Sequence, residues 1–311
     1  MPRKDDTGTD RTRTTAKRRT LRREVPSTVG LLADAGDFAA MRGYRSFTFD
    51  HRDDYSDYLR HVDALLRSLA AQGIHTTVAL FDPEEYADFC ADHDLDPDSA
   101  QTRTRFTAEL SGSGAVLPYT GQPIDELVPL LVDEAVRQAT WEYATTLLAG
   151  VGACADCGED IGQASFDRAS EALKRLVAGA GPGHHHFVCS VPTEAEQLVA
   201  VLHATVPFTD EADDPPPRPR IEGRDGLDFV TVLAAGLALG GAGGLVARTT
   251  TEDHRDRVHG WRLDRGRLTP LSAAAVFNAY CTDADTGDPV APEPGVEYCP
   301  GYEVDDPGPH H

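Results

Sequence analysis

Hydrophobic residues recur every three or four positions between residues 55 and 69, and polar residues fill the positions between them. This spacing predicts an amphipathic helix that stops at Gly73, because glycine readily adopts the backbone conformation that ends helices. Apolar runs lie on both sides of it, at 45–49 and 74–81. Each run is short and is followed by an aspartate, which predicts two β-strands.

The alternation of strand and helix continues along the chain. The predicted helices cover 55–69, 84–92, 124–148, 166–177 and 193–203, and the predicted strands cover 45–49, 74–81, 115–119 and 185–191. Strands separated by helices of this length are typical of domains in which each helix crosses between parallel strands. The sequence therefore predicts an α/β fold over 27–208, with a mostly parallel sheet flanked by helices.

Residues 209–226 combine a cluster of acids with prolines and glycines, which predicts a linker before a C-terminal α+β extension at 227–304. The extension opens with a run at 229–247 that contains no charged residue and five glycines. Its length is close to that of a membrane span, but the glycines favour a buried helix over 227–239 that ends in a loop. The final residues, 305–311, are expected to be a frayed tail.

Charge divides the 311-residue chain into two parts. The formal net charge is −22, yet residues 1–24 carry nine basic residues against four acidic ones. We expect residues 1–26 to form a disordered basic tail, because they contain too few apolar residues to build a core. An acidic body repels polyphosphate, so only residues 1–24 of that tail could bind nucleic acid, and a solubilising tail is the favoured interpretation. No apolar segment follows the N-terminal charges, which favours a cytoplasmic protein over a secreted one.

Two short pairs of metal-binding residue types stand out in the middle of the chain. Cys154 and Cys157 form a C-x-x-C motif, and His186 and Cys189 form an H-x-x-C motif. Four such donors in two closely spaced pairs favour a closed, structural Zn²⁺ site that clasps the segment 154–189. His184 or His185 could replace His186, and a free C-x-x-C pair is the competing interpretation. A thioredoxin-like role is less favoured, because the motif follows a long helix and not a strand.

An aspartate follows each of the first two predicted strands, Asp50 in one case and Asp82 in the other. In parallel neighbouring strands both carboxylates would lie at the carboxyl edge of the sheet, where α/β proteins bind ligands. Two acids there favour Mg²⁺ and hydrolytic or phosphoryl-transfer chemistry, with both residues as candidate catalytic groups. Each aspartate also precedes a predicted helix, so helix capping is the competing interpretation.

These observations favour a zinc-stabilised cytosolic interaction or regulatory protein that binds a protein partner. The alternatives are a metal-dependent hydrolase or phosphotransferase that uses Asp50 and Asp82, and a membrane-tethered sensor anchored by 229–247. The chain contains no phosphate-binding P-loop and no G-x-S-x-G, H-E-x-x-H or kinase signature. The interaction hypothesis is preferred because no set of catalytic residues is recognisable, and the sequence does not determine the oligomeric state.

Overall fold

A computed structural model of the chain describes residues 27–49, 52, 54–208, 218–221, 224–251, 255–283 and 286–304. The chain forms two compact units, Met1–Gln138 and Ala139–His311. The expected basic tail at 1–26 and the expected C-terminal tail at 305–311 lie outside the described residues. The same holds for most of the segment at 209–226 for which a linker is predicted.

The first unit alternates short strands with helices. Its elements are β1 (Ser27–Leu31), α1 (Ala35–Met41), α2 (Tyr55–Ala71), β2 (Thr76–Leu80), α3 (Pro83–Asp92), α4 (Ala100–Ser113) and β3 (Val116–Pro118), and α5 (Ile124–Gly150) begins in it. β1 pairs with β2 in parallel, and β2 pairs with β3 in antiparallel orientation. Buried aromatic and aliphatic side chains from the strands and helices form one core between them.

The predicted strand at 45–49 has no regular secondary structure, and the strand beside β2 is β1 instead. Hydrogen bonds from distant residues hold this segment. Arg103 donates to the carbonyl oxygen of Ser46 at 2.8 Å, and the Ser46 N–H donates to Asp98 at 2.7 Å. Phe47 and Phe49 pack against the ring of Phe38. These two side chains are therefore partly buried by aromatic contacts, without strand pairing.

The second unit is built on a large sheet. Its elements are α6 (Ile161–Ala180), β4 (Gly183–Pro192), β5 (Gln197–Val206), β6 (Arg220–Ile221), α7 (Asp225–Leu239), β7 (Gly243–Thr250), β8 (Asp256–Asp264), β9 (Arg267–Pro270), α8 (Ala273–Tyr280) and β10 (Val296–Tyr298). In the described part of the chain, the strand order is β10-β8-β7-β4-β5-β6, and β9 pairs with β8. Helices α6 and α7 pack against one face of this sheet and bury its core.

The prediction of a mostly parallel sheet is wrong. β4 pairs antiparallel with both β5 and β7, and β7 pairs antiparallel with β8, so the large sheet is mixed and mainly antiparallel. The error arises at 193–203, where the sequence predicts a crossover helix and the structure has a tight turn followed by β5. Within the turn, the N–H of Thr193 donates to the carbonyl oxygen of Glu196 at 2.9 Å. A hairpin of this kind reverses the chain, whereas a crossover helix would have kept neighbouring strands parallel.

The uncharged run at 229–247 is divided between two elements of the second unit. Its first part lies in α7, where every residue from Phe229 to Leu237 is buried, and its last part lies in β7. Gly240 ends the helix with a φ of 66°, a conformation that glycine adopts readily. Across the described residues, no helix is long and apolar enough to cross a membrane. The part of the run in α7 is buried between α6 and the large sheet, and Leu245 and Ala247 of β7 belong to the same core.

Candidate functional site

The four residues predicted to bind zinc lie in two different parts of the second unit. Cys154 and Cys157 belong to the loop between α5 and α6, whereas His186 and Cys189 both lie in β4. Side chains three positions apart in a strand point to opposite faces of the sheet. His186 accordingly lies on the exposed face, and Cys189 is fully buried on the face covered by the helices.

Cys189 is therefore a core thiol. Burial raises its pKa to about 12, which keeps the sulfur protonated at neutral pH. Within the described ranges, no group of three or more histidine, cysteine or acidic side chains is arranged to hold a metal ion. The predicted set of four ligands thus does not fit a tetrahedral zinc site in this structure.

The alternative histidine ligands also have other partners. His185 is buried in the sheet, where its Nε2 atom donates to the carbonyl oxygen of Gly181 at 2.9 Å and its Nδ1 atom accepts from the Thr249 hydroxyl at 3.0 Å. Burial lowers the pKa of His185, which favours the neutral ring that this assignment of donor and acceptor describes. His184 lies on the opposite face, with its Nδ1 atom 3.2 Å from the Thr205 hydroxyl. The hydrogen-bond partners of both rings thus lie outside the cysteine loop.

The cysteine loop has its own internal hydrogen bonds. Gly158 N–H donates to the Cys154 carbonyl oxygen at 2.9 Å, and Cys154 N–H donates to the Glu159 carbonyl oxygen at 2.8 Å. Gly152 and Gly158 have φ values of 85° and 76°, which side chains with a Cβ atom rarely adopt. Asp160 then caps α6 by accepting from the Gln163 N–H at 2.8 Å. The loop is thus a closed turn fixed to the start of α6.

The two cysteines of this loop have different environments. Cys154 is buried, with 6% of its surface exposed, whereas Cys157 is exposed. Hydrogen bonds from the backbone N–H groups of Cys157 and Asp156, together with the Cys157 thiol, lower the pKa of Cys154. N–H groups that point at a sulfur stabilise its negative charge, which favours the thiolate form of Cys154.

A small cavity lies beside Cys154, with a volume of about 160 Å³. Its walls come from the cysteine loop, α6 and the end of α7. The lining residues are Cys154, Glu159, Ile161, Ala164, Ser165, Arg168, Leu237 and Ala238. Pockets for drug-sized ligands usually measure about 300–1,000 Å³. The cavity is therefore suited to a small reagent or to the tip of a larger one.

The second predicted site was expected where the predicted strands at 45–49 and 74–81 end, of which the structure contains only the second, as β2. Asp50 lies outside the described residues, so the structure gives no geometry for it. Asp82 follows β2 and caps α3, because its Oδ1 atom accepts from the N–H groups of Glu84 at 2.7 Å and Glu85 at 3.3 Å. The competing interpretation of Asp82 as a helix cap is therefore confirmed.

The sequence analysis missed two other acids at the carboxyl edge of β1 and β2. Asp34 caps α1 by accepting from two backbone N–H groups, and Asp37 accepts from the Ala33 N–H at 3.1 Å. Burial raises the pKa of Asp37, and the charges of Asp34 and Asp82 raise it further. The Tyr55 hydroxyl donates to the carbonyl oxygen of Ala33 at 2.7 Å and so closes the same edge. The sequence feature that could have predicted this strand and cap is the short apolar run at 27–32, which is followed by Asp34.

Comparisons with known proteins add one partial match. A family model described as "Domain of unknown function (DUF8829)" matches residues 16–122, which lie within the first unit. No curated protein and no solved structure matches the chain. The matched family carries no described activity, and its range does not include the cysteine loop.

Proposed function

We propose that this protein is a cytosolic regulatory protein in which Cys154 and Cys157 respond to the thiol–disulfide state of the cell. The observation that carries the proposal is the closed turn that holds Cys154 and Cys157, in which Gly158 N–H donates to the Cys154 carbonyl oxygen at 2.9 Å. Within this turn, backbone N–H groups and the Cys157 thiol lower the pKa of Cys154. A stabilised thiolate beside a second thiol is the arrangement that thiol–disulfide exchange requires.

The reaction partner is a low-molecular-weight disulfide. The Cys154 thiolate attacks one sulfur of that disulfide, a mixed disulfide forms, and the other sulfur leaves as a thiolate. Cys157 then loses its proton to solvent and attacks the Cys154 sulfur, which releases the second thiolate. The protein dithiol is oxidised by two electrons and the disulfide is reduced to two thiols. The exposure of Cys157 and the small cavity beside Cys154 both favour access by a reagent of this size.

The position of the loop favours regulation over turnover. Oxidoreductases of the thioredoxin type place the reactive cysteine between a strand and a helix, whereas Cys154 lies six residues before Asp160, the N-cap of α6. The loop and its cavity contact α6 and α7, the two helices that pack against the large sheet. Closing a disulfide in the loop changes the packing at these helix ends, and the output that we propose is altered binding of a protein partner.

The compartment matters to this function. Cytosolic thiols are kept reduced by glutathione and thioredoxin systems, so a cysteine pair closes there only when the balance shifts. In the reducing cytosol the resting form of the protein therefore has both thiols reduced.

Reactivity of the individual cysteines tests the proposal. Reduced protein is treated with iodoacetamide at a series of pH values, and modification of each cysteine is followed by peptide mass spectrometry. We expect Cys154 to react with a midpoint below the ordinary thiol pKa, whereas Cys189 remains unmodified because it is buried and its pKa is raised. The protein is then equilibrated with glutathione at graded ratios of disulfide to thiol. A disulfide between Cys154 and Cys157 should form reversibly.

Two variants provide the controls. Cys157→Ser removes the resolving thiol, so glutathione should remain attached to Cys154, whereas Cys154→Ser should leave no stable adduct in the loop. Absence of the Cys154–Cys157 disulfide at every ratio would overturn the proposal. Equimolar zinc that survives purification and is lost in Cys154→Ser would overturn it as well, because the pair would then be part of a metal site.

A further inference from the structure

One edge of the large sheet is incomplete in the described part of the chain. β5 pairs with β4 along its whole length, but on its other side β6 pairs only with Ala204 and Thr205. The seven residues 197–203 therefore have no strand partner at that edge among the described residues. Alternate residues of such an edge direct their backbone N–H and C=O groups outward, where another strand can pair with them.

This edge lacks the features with which proteins usually prevent pairing. Natural edge strands carry charged side chains, proline or bulges. Residues 197–203 contain no charged residue and no proline, although the chain has a formal net charge of −22. Val199 and Val201 are 44% and 38% exposed on the uncovered face of the sheet. The edge is therefore open, apolar and uncharged, which favours a partner strand over solvent.

The order of the residues identifies the partner. The sequence at 198–202 is Leu-Val-Ala-Val-Leu, which is identical when it is reversed. We propose that two copies of this chain pair through β5 in antiparallel orientation about a two-fold axis at Ala200. Val199 of each copy then lies opposite Val201 of the other, and Leu198 lies opposite Leu202. The two-fold axis makes the two halves of the interface equivalent, and in this register each apolar residue also meets its own residue type.

The ends of the strand fix the same register. The hairpin turn of 193–196 closes one end of the free edge, and β6 occupies the other end from Ala204. A register centred one residue later places Gln197 of the second copy opposite Thr205, where β6 already lies. A register centred one residue earlier brings the turn residue Glu196 of the second copy opposite Leu202 and shortens the pairing. Centring on Ala200 uses all seven free positions.

Side-chain chemistry is compatible with this pairing. The five central positions are apolar on both faces, so the centre of the pairing buries no charge. At the two ends Gln197 lies opposite His203, and both can form hydrogen bonds. His203 is already 3.6 Å from Asp225 of its own chain. The result is one continuous sheet across two chains.

Mass measurement on the full-length protein tests the inference. Sedimentation velocity should show a species of twice the chain mass of 33.5 kDa at micromolar concentration. The double substitution Val199→Lys with Val201→Lys places like charges opposite each other twice, and should weaken association at least about tenfold. Val199→Lys with Val201→Glu places opposite charges there and should stay within a few-fold of the unaltered protein. The reversed pair, Val199→Glu with Val201→Lys, should behave in the same way.

Three further variants separate the register from general effects of charge. Leu65→Lys with Leu130→Lys adds the same charge at exposed positions of the first unit and should leave the mass unchanged. Ala200→Cys should give a disulfide-linked dimer on mild oxidation, because directly opposed residues lie about 4.5–5.5 Å apart between Cα atoms, within the range of disulfides. Ala204→Cys, which faces β6, should not. A monomeric unaltered protein, equal effects of the Lys/Lys and Lys/Glu variants, or no linkage through Cys at position 200 would each overturn the inference.

Discussion

Replacement of Asp82 separates a capping role from a catalytic one. The residue precedes α3, and its Oδ1 atom accepts the N–H groups of Glu84 and Glu85 at 2.7 and 3.3 Å. Asp82→Ala removes both bonds and leaves these N–H groups without their partner. Asp82→Asn keeps an oxygen that can accept them and removes only the negative charge. The two substitutions therefore divide the contribution of the residue into a hydrogen-bonding part and an electrostatic part.

The magnitudes follow from the position of the residue. Loss of an aspartate cap costs about 1 kcal/mol, within a range of roughly 0.5–2 kcal/mol. Loss of a negative charge at a helix N-terminus costs about 0.3–1 kcal/mol at an exposed site. That cost is reduced here because Asp82 also repels Asp37, whose pKa its charge helps to raise. We therefore expect Asp82→Ala to lower the free energy of unfolding by about 1 kcal/mol and Asp82→Asn by less than about 0.5 kcal/mol.

Urea unfolding at neutral pH, followed by circular dichroism, measures both differences. The transition of the first unit is the relevant one, because α3 belongs to it. Equal destabilisation by the two substitutions would refute the capping argument, since asparagine is as good a cap as aspartate. A value near zero for Asp82→Ala would refute it as well.

Two further substitutions test packing and electrostatics. Gly236→Ala should destabilise the second unit by up to about 2 kcal/mol, because the added methyl group would lie 2.8 Å from a methyl of Val191 and overpacking exceeds the gain in helix propensity. Gly150→Ala is the control, because its Cβ meets no atom within 4 Å, and it should be neutral or stabilising. Equal shifts in melting temperature for the two variants would contradict this prediction. Asp37→Asn should stabilise the first unit at neutral pH by less than about 1 kcal/mol, because an acid with a raised pKa in the folded state opposes folding once it is ionised. The gain should shrink as the pH falls through the raised pKa of the folded state and vanish below the ordinary value of 3.8, where the carboxyl is protonated in both states. A gain that is constant with pH would contradict the assignment.

Local patterns predicted the helices well where a polar face and an apolar face alternate clearly. The predicted helix at 55–69 corresponds to α2, in which Tyr58, Val62 and Leu66 are buried. The segment at 193–203 shows where the same reasoning fails. Leu198 and Leu202 are four residues apart, a spacing that fits one face of a helix and equally one face of a strand. Pairing with β4 makes this segment a strand, and the segment therefore cannot be the crossover helix on which the predicted parallel topology depended.

The acids at the edge of the small sheet illustrate a second limit. An aspartate after an apolar run predicts an edge position, but its neighbours depend on which strands pair. The strand beside β2 is β1, so Asp34 and Asp37 share the edge with Asp82. The residues at 27–32 contain the strand signal, yet their overlap with a helical spacing at 31–38 hides it. β1 ends 45 residues before β2 begins, so their pairing depends on contacts across the whole unit. A short stretch of sequence does not contain that information.

The motif at Cys154 separates what spacing can predict from what it cannot. In a loop, two cysteines three positions apart can both turn toward one point, and the Cys157 thiol is one of the groups that lower the pKa of Cys154. In a strand the same spacing sends His186 and Cys189 to opposite faces, because the side chains alternate. Identical spacing therefore predicts convergence only when the local conformation is known. Since β4 is a strand, two thiols remain where four ligands were expected, and two thiols suffice for disulfide exchange but not for a closed tetrahedral site.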